Sequence, residues 1–270
     1  QGGRKGDLLA VGDRVRISIL PEGTGMIEEI LPRERAIVRM DPRPRGLYKQ
    51  ILLANPDQAV FVFACTNPSP RLRMLDRFLV IAEQQEIPAV IVANKVDLLG
   101  EEEAKKIFGH YAKIGYKVLY TSAQEKTGID ILRYTLEGKL SALAGPSGVG
   151  KSSLMNTMQP GLGLEVEEIS QSLNRGKHTT NFRQLLPLEG GGYVADTPGW
   201  KALALWDTEP EELDGYFPEI AQLVPLCRFN DCSHVHEPGC AVLDAVRSGE
   251  LHSERFNSFI RMRDGLSNKR

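Results

Sequence analysis

A multidomain α/β architecture in three parts is what this sequence predicts, and three observations predict it. Residues 1–50 alternate short β-prone runs with turn residues. Residues 51–205 alternate apolar strand-like runs with segments of helical periodicity. Residues 206–270 enclose three cysteines and a histidine between Cys227 and Cys240. The first pattern fits a small antiparallel barrel, and the second fits βαβ units building a parallel sheet with helices on both faces. The third fits a small helical domain held together by a metal.

Taken in order, Val11–Ile19 alternates apolar and polar side chains as a half-buried strand should. Gly23-Thr24-Gly25 turns the chain, and residues 25–30 and 35–40 give two more strands. The barrel is then one strand short. The missing strand would lie at its N-terminus, and since the chain starts at Gln1 without a Met or a basic-then-apolar leader, a truncated or processed chain is expected. Residues 41–46 read as a linker, and Arg33, Arg35, Arg39, Arg43, Arg45 and Lys49 make this the most basic stretch. A solvated surface is the ordinary meaning of such a stretch, and a nucleic-acid contact the sharper one.

In the second part, residues 60–64, 89–93, 117–120, 140–144 and 193–195 read as strands. Residues 74–85, 101–114 and 129–136 read as helices, the first with apolar spacing at Leu75, Phe78, Leu79 and Ala82. A further helix starts at Lys151, and a closing helix is expected from Ser253 to Arg263.

Composition narrows the function. The chain has 270 residues, 41% hydrophobic and 25% charged, which excludes a disordered or fibrous protein. With 33 Lys+Arg against 35 Asp+Glu the net charge is −2, unlike a protein that coats nucleic acid along its whole length. No run approaches the roughly 18–20 apolar residues of a membrane span. Four cysteines are too sparse for a disulfide scaffold, and Cys65 sits in an apolar run as a small buried hydrophobe. A reducing, cytoplasmic location is expected.

Gly145-Pro146-Ser147-Gly148-Val149-Gly150-Lys151-Ser152 matches G-x-x-x-x-G-K-[ST]. It follows a strand and opens a helix, which is the context a phosphate-cradling loop requires. Glycines let backbone N–H groups wrap phosphates, Lys151 is placed to reach the β and γ phosphates, and the Ser152 hydroxyl to ligate Mg²⁺. Asn94-Lys95-Val96-Asp97 follows a buried strand. A carboxylate at Asp97 accepts two hydrogen bonds from guanine, whereas adenine would leave that charge unpaired. Ser122 and Ala123 follow another strand, where their backbone can meet the guanine carbonyl oxygen. Asp196-Thr197-Pro198-Gly199 supplies an aspartate that holds Mg²⁺ through water and a Gly199 N–H that senses the γ phosphate. Between these, Thr180 in Gly176-Lys177-His178-Thr179-Thr180 is the candidate to complete the Mg²⁺ shell.

The order of these motifs is unusual. The guanine-reading segments precede the phosphate loop, reversing the usual GTPase order, which a circular permutation explains because loops at strand ends assemble the site. The segment after Asp196 then leads directly into the C-terminal part. There Cys227, Cys232, His234 and Cys240 form a closed Cys3His set suited to one structural Zn²⁺, with His236 discounted as a spare.

These motifs resemble those of the RsgA/YjeQ family, circularly permuted GTPases that assist maturation of the small ribosomal subunit. The resemblance runs from Val11-Gly12-Asp13-Arg14-Val15 through Asn94–Asp97, Gly145–Ser153, the 176–180 segment and Asp196–Gly199 to the cysteine spacing. It implies an OB-fold at 1–50, a permuted GTPase core at 51–205 and a zinc domain at 206–270. It also implies GTP hydrolysis to GDP stimulated by the small subunit and its rRNA; no membrane partner is expected without a long apolar run, and a monomer is expected because nothing in the sequence demands a dimer. In the matching family motif a third threonine usually follows Thr179-Thr180, where this chain has Asn181. Trp200 stands where ordinary GTPases carry a water-orienting glutamine. Slow intrinsic turnover is expected, with His178 as the candidate water-orienting group and an RNA-contacting or locally packed His178 as its rival. Two other readings compete: an RNA-binding module with a regulatory guanine site and negligible turnover, and a metabolic P-loop NTPase, against which Asp97 counts.

Overall fold

The computed structural model describes residues 9–40, 49–162, 164, 185–196, 200, 203 and 208–267. Its centre is a sheet of six strands. Strands β5 (Gln58–Ala64), β6 (Ala89–Asn94), β7 (Lys117–Thr121), β8 (Leu140–Ala144) and β10 (Tyr193–Asp196) run parallel, and β9 (Leu185–Pro187) closes one edge antiparallel to β10. The order across the sheet is β7-β6-β5-β8-β10-β9. Every β5 side chain is buried, as a parallel strand covered on both faces must be.

The helical connections are α1 (Leu72–Gln84), α2 (Glu101–Ile114), α3 (Ile129–Leu136) and α4 (Lys151–Met158). One face of the sheet packs Phe61 and Phe63 against Leu75, Phe78, Phe108 and Tyr111; the other packs Val60 and Val62 against Leu132, Leu136, Leu154 and Met155. Helix α1 is buried on two sides. Its Phe78 and Leu79 join the sheet core, while Val80 joins the core of the C-terminal part.

Before the sheet lie two antiparallel pairs, β1 (Val15–Ile19) with β2 (Gly25–Ile30) and β3 (Ala36–Met40) with β4 (Lys49–Ala54). The pairing of β4 carries this N-terminal unit to Ala54, past residue 50. Asp13 and Arg33 fork together at 2.6 and 2.7 Å, and the guanidinium holds the Asp13 carboxyl below its usual range. Ile37, Leu52 and Leu53 enter the same core as Phe61, so the unit is seated on the sheet domain.

The C-terminal part is helical. It comprises a 3₁₀ segment (Pro210–Tyr216), α5 (Pro218–Ala221), α6 (Ala241–Ser248) and α7 (Ser253–Ser267), around Leu213, Phe217, Ile220, Val242 and Phe259. Helix α7 continues four residues beyond the expected Arg263. No helix of the described residues is long and apolar enough to cross a membrane.

Candidate nucleotide site and metal centre

In an open parallel sheet, ligands bind beyond the carboxyl ends of the strands, where the strand order reverses direction. Here that point lies between β5 and β8, because the chain runs outward through β6 and β7 before returning to β8. Ala64, Asn94 and Thr121 pair in one row at the ends of β5, β6 and β7, while Asp196 pairs with Leu143 near the end of β8. All the motif-bearing loops therefore leave the same edge.

The phosphate loop has the backbone that its glycines permit. A Cβ at Gly145 would lie 2.2 Å from the Val62 carbonyl oxygen. Gly150 has φ +94°, and a Cβ there would lie 2.5 Å from Asn94 Nδ2. Pro146 and Val149 are buried, whereas Ser147 and Gly148 are exposed at the tip. Lys151 Nζ donates to the carbonyl oxygens of Gly145 (3.1 Å) and Pro146 (2.9 Å), folding the ammonium under the loop. Ser152 is buried and Ser153 half-buried at the start of α4.

The loop expected to read guanine is fastened to the loop expected to cradle phosphate. Asn94, buried, donates through Nδ2 to the Val149 carbonyl oxygen at 2.8 Å and accepts from Thr121 Oγ1 at 3.1 Å. Lys95 takes a left-handed backbone (φ 66°) and donates through Nζ to the Gly148 carbonyl oxygen at 2.7 Å and to that of Asn67. Val96 packs inward, and Asp97 is exposed on the same turn. Burial, and after it the charge of Asp97, raises the Cys65 thiol to about 11. Ser122 is buried and turns the next loop, its Oγ accepting from Glu125 N at 3.0 Å; the Ala123 carbonyl oxygen accepts from Thr157 of α4.

The structure thus brings together Asn94, Lys95, Val96, Asp97, Ser122, Ala123 and the 145–153 loop. Asp196 ends β10 beside them, with its backbone alone described. His178, Thr180 and Gly199 lie outside the described residues. Thr121 heads the Thr121-Ser122-Ala123 segment that the sequence marks, but its bond to Asn94 was not foreseen, and Asn67, which holds Lys95, has no motif of its own. The sequence marks Trp200 by what it replaces. The indole is 1% exposed and packs edge-on to Phe61 and Phe78 with centroids 5.0 and 6.2 Å apart, so it serves the sheet core.

In the C-terminal part, one ligand atom each from Cys227, Cys232, His234 and Cys240 lies within 4.8 Å of the others. Cys227 Sγ is 3.9 Å from Cys240 Sγ, close to the roughly 3.8 Å that tetrahedral Zn–S bonds of about 2.3 Å impose. His234 Nδ1 faces the sulfurs at 3.3 and 3.6 Å, while its buried Nε2 points at the Asp214 carboxylate 3.6 Å away. Burial pushes the Cys232 thiol up to about 12 and raises Cys240 as well, so thiolates here need a cation between them. The donor set fits Zn²⁺. His236 is exposed and outside the cluster.

Comparison with known proteins follows the same lines. A family model described as RsgA GTPase matches residues 30–206. The small ribosomal subunit biogenesis GTPase RsgA of Gemmatimonas aurantiaca is 45% identical over 261 residues, covering 96% of this chain and 84% of that protein. Its namesake from Thermotoga neapolitana is 42% identical, covering 93% and 82%. Among solved structures, YjeQ from Thermotoga maritima aligns with a TM-score of 0.79 at 37% identity, covering 98% of this chain and 87% of that one. YloQ, described as a circularly permuted GTPase, aligns at 0.75 with 32% identity, covering 99% and 84%.

Proposed function

Since the chain belongs to the RsgA family of circularly permuted GTPases, we propose that it binds the small ribosomal subunit, assists its late maturation and hydrolyses GTP to GDP under stimulation by that subunit. The observation that carries this reading is the Asn94–Val149 hydrogen bond with the Lys95–Gly148 contact beside it. Base recognition and phosphate binding are mechanically one unit although their order in the chain is reversed.

In this reading Asp97 receives the guanine N1–H and 2-amino group, and Asn94, Lys95 and Val96 hold its loop. The backbone of Ser122 and Ala123 meets the guanine carbonyl. Backbone N–H groups of residues 145–153 surround the phosphates, and Lys151 exchanges the carbonyls of Gly145 and Pro146 for phosphate oxygens. Mg²⁺, when bound, neutralises charge on the phosphates; the Ser152 and Thr180 hydroxyls and the Asp196 carboxylate are the hard oxygen donors suited to it. Gly199 senses the γ phosphate. With Trp200 committed to the core, the attacking water needs another group, and His178 is our assignment. His178→Ala is expected to abolish subunit-stimulated turnover with GTP affinity intact, and an unchanged stimulated rate would remove it from the mechanism.

Cys227, Cys232, His234 and Cys240 hold one structural Zn²⁺ in this proposal, and the protein works as a cytoplasmic monomer. Residues 1–50, 51–205 and 206–270 act as RNA-binding, GTPase and zinc domains, with the pairing of β4 carrying the first as far as Ala54. The deciding experiment is steady-state hydrolysis of GTP, with ATP as control, in the presence and absence of purified small subunits. Strong stimulation confined to GTP is expected. GTP turnover that ignores the subunit would refute the reading.

A further inference from the structure

A cationic feature lies apart from the nucleotide loops. The first turn of α1 and the middle of α7 wall a groove of about 610 Å³ between the GTPase sheet and the C-terminal helices. Arg71 and Arg73 line one side and Arg261 the other, all exposed. Among the described residues, none of the three is paired with a carboxylate.

The acidic side chains of the wall do not cancel this charge. Asp76 is 1% exposed and already neutralised by Arg255 at 2.9 Å, with Tyr111 Oη and Ser258 Oγ also donating to it. Glu254 alone remains. On a chain whose net charge is −2, this is a local excess of positive charge. Guanidinium forks match phosphate oxygens two at a time, and Asn257 adds an amide between them. Leu72 and Met74, half-buried against the sheet core, complete the lining.

The groove is also wired to the nucleotide site. It begins at Pro70, just after the loop whose Asn67 carbonyl oxygen accepts from Lys95 Nζ, and that same ammonium donates to Gly148 at 2.7 Å. We propose that the groove seats a phosphodiester backbone segment of the partner's RNA and passes that contact to the phosphate loop through residues 65–71. This rests on the small-subunit reading above.

The test compares the full chain with Arg71→Gln/Arg73→Gln/Arg261→Gln and with a charge-matched control, Lys105→Gln/Lys106→Gln/Lys113→Gln on the exposed face of α2. Three quantities are read: co-sedimentation with small subunits, affinity for a short RNA duplex across a KCl series, and basal against subunit-stimulated GTP turnover. The arginine variant is expected to lose at least about tenfold in both affinities, with a log–log salt slope shallower by about two to three. Stimulated turnover falls with them, while basal turnover and GTP affinity match wild type and the control. An arginine variant that equals the control in both affinities overturns the groove. Loss of subunit affinity with duplex affinity kept assigns the arginines to an acidic protein surface and overturns the RNA assignment. Full stimulation at saturating subunits overturns the wiring. Wild-type protein that ignores subunits, with the arginines still governing duplex affinity, refutes the small-subunit reading alone.

Discussion

At the residue scale, the proposed guanine specificity rests on Asp97, and Asp97 rests on the neighbours that hold its loop. Asn94 spends its amide on Val149 and its carbonyl on Thr121, so the turn carrying Asp97 starts from a fixed point. Replacing Asp97 by Asn exchanges an acceptor for a donor opposite the guanine amino group. GTP affinity is expected to fall by at least about 100-fold while xanthine nucleotides gain, measured by competition against a fluorescent nucleotide. Asp97 and Lys151 were legible in the sequence because their motifs have fixed local spacing. Asn67 and Asp214 were not, since each meets its partner across distant turns and carries no pattern of its own, and Thr121 was legible only as the head of Thr121-Ser122-Ala123, without its bond to Asn94. Trp200 was legible as a group that does not orient water, whereas its packing on Phe61 and Phe78 was not, because that burial is decided by elements far away in the chain.

At the scale of elements, the parallel strands were readable as short apolar runs, and observed bounds agree with the expected ones to within two residues for β5, β6, β7, β8 and β10. Strand β9 has three residues and gains its identity from pairing with β10, so no periodicity announces it. Strand β4 was hidden by its position across the expected linker boundary. Between elements, His110 of α2 stacks on His252 at the entry to α7, with centroids 4.1 Å apart and planes 10° off parallel. Burial, then the charges of His252 and Arg255, lower the His110 pKa from 6.5 to about 4. Between those values the unfolded chain binds the proton and the folded chain does not, so stability falls as pH drops through that window and is unaffected above about pH 7.5. With partial exposure counted, the loss is about 1–2 kcal/mol. In thermal melts at pH 7 and pH 5, His110→Phe is expected to lose less between the two than wild type.

At the scale of the whole molecule, one buried charge network ties the C-terminal helices to the sheet domain. Arg255 of α7 is fully buried, donating to Glu219 of α5 at 2.6 Å and to Asp76 of α1 at 2.9 Å, with its guanidinium 4.4 Å from the Phe217 ring centroid. Arg255→Met leaves Asp76 buried and uncompensated, at a cost of about 3–5 kcal/mol. Arg255→Lys is expected not to restore stability, because one ammonium cannot replace a fork that spans two carboxylates. Urea midpoints and protease cleavage within residues 208–267 check both. Removing the metal with a chelator is expected to open the same region first while the sheet keeps its fold. None of this network was visible in the sequence, where Asp76 and Arg255 stand far apart and each looks like one more solvated charge.

The permuted strand order also sets a timetable for synthesis. The base-reading half, β5 through β7 with α1 and α2, is complete well before the phosphate loop exists. Until residue 140 and those after it have been made, β5 presents its unpaired backbone on the side that β8 will occupy. A nascent chain thus carries an open central strand, apolar from Ala59 to Ala64, for the several seconds that translation at about 5–20 residues per second requires. It cannot hold a nucleotide to protect that strand, because the groups that grip phosphate arrive with the strand that closes the gap.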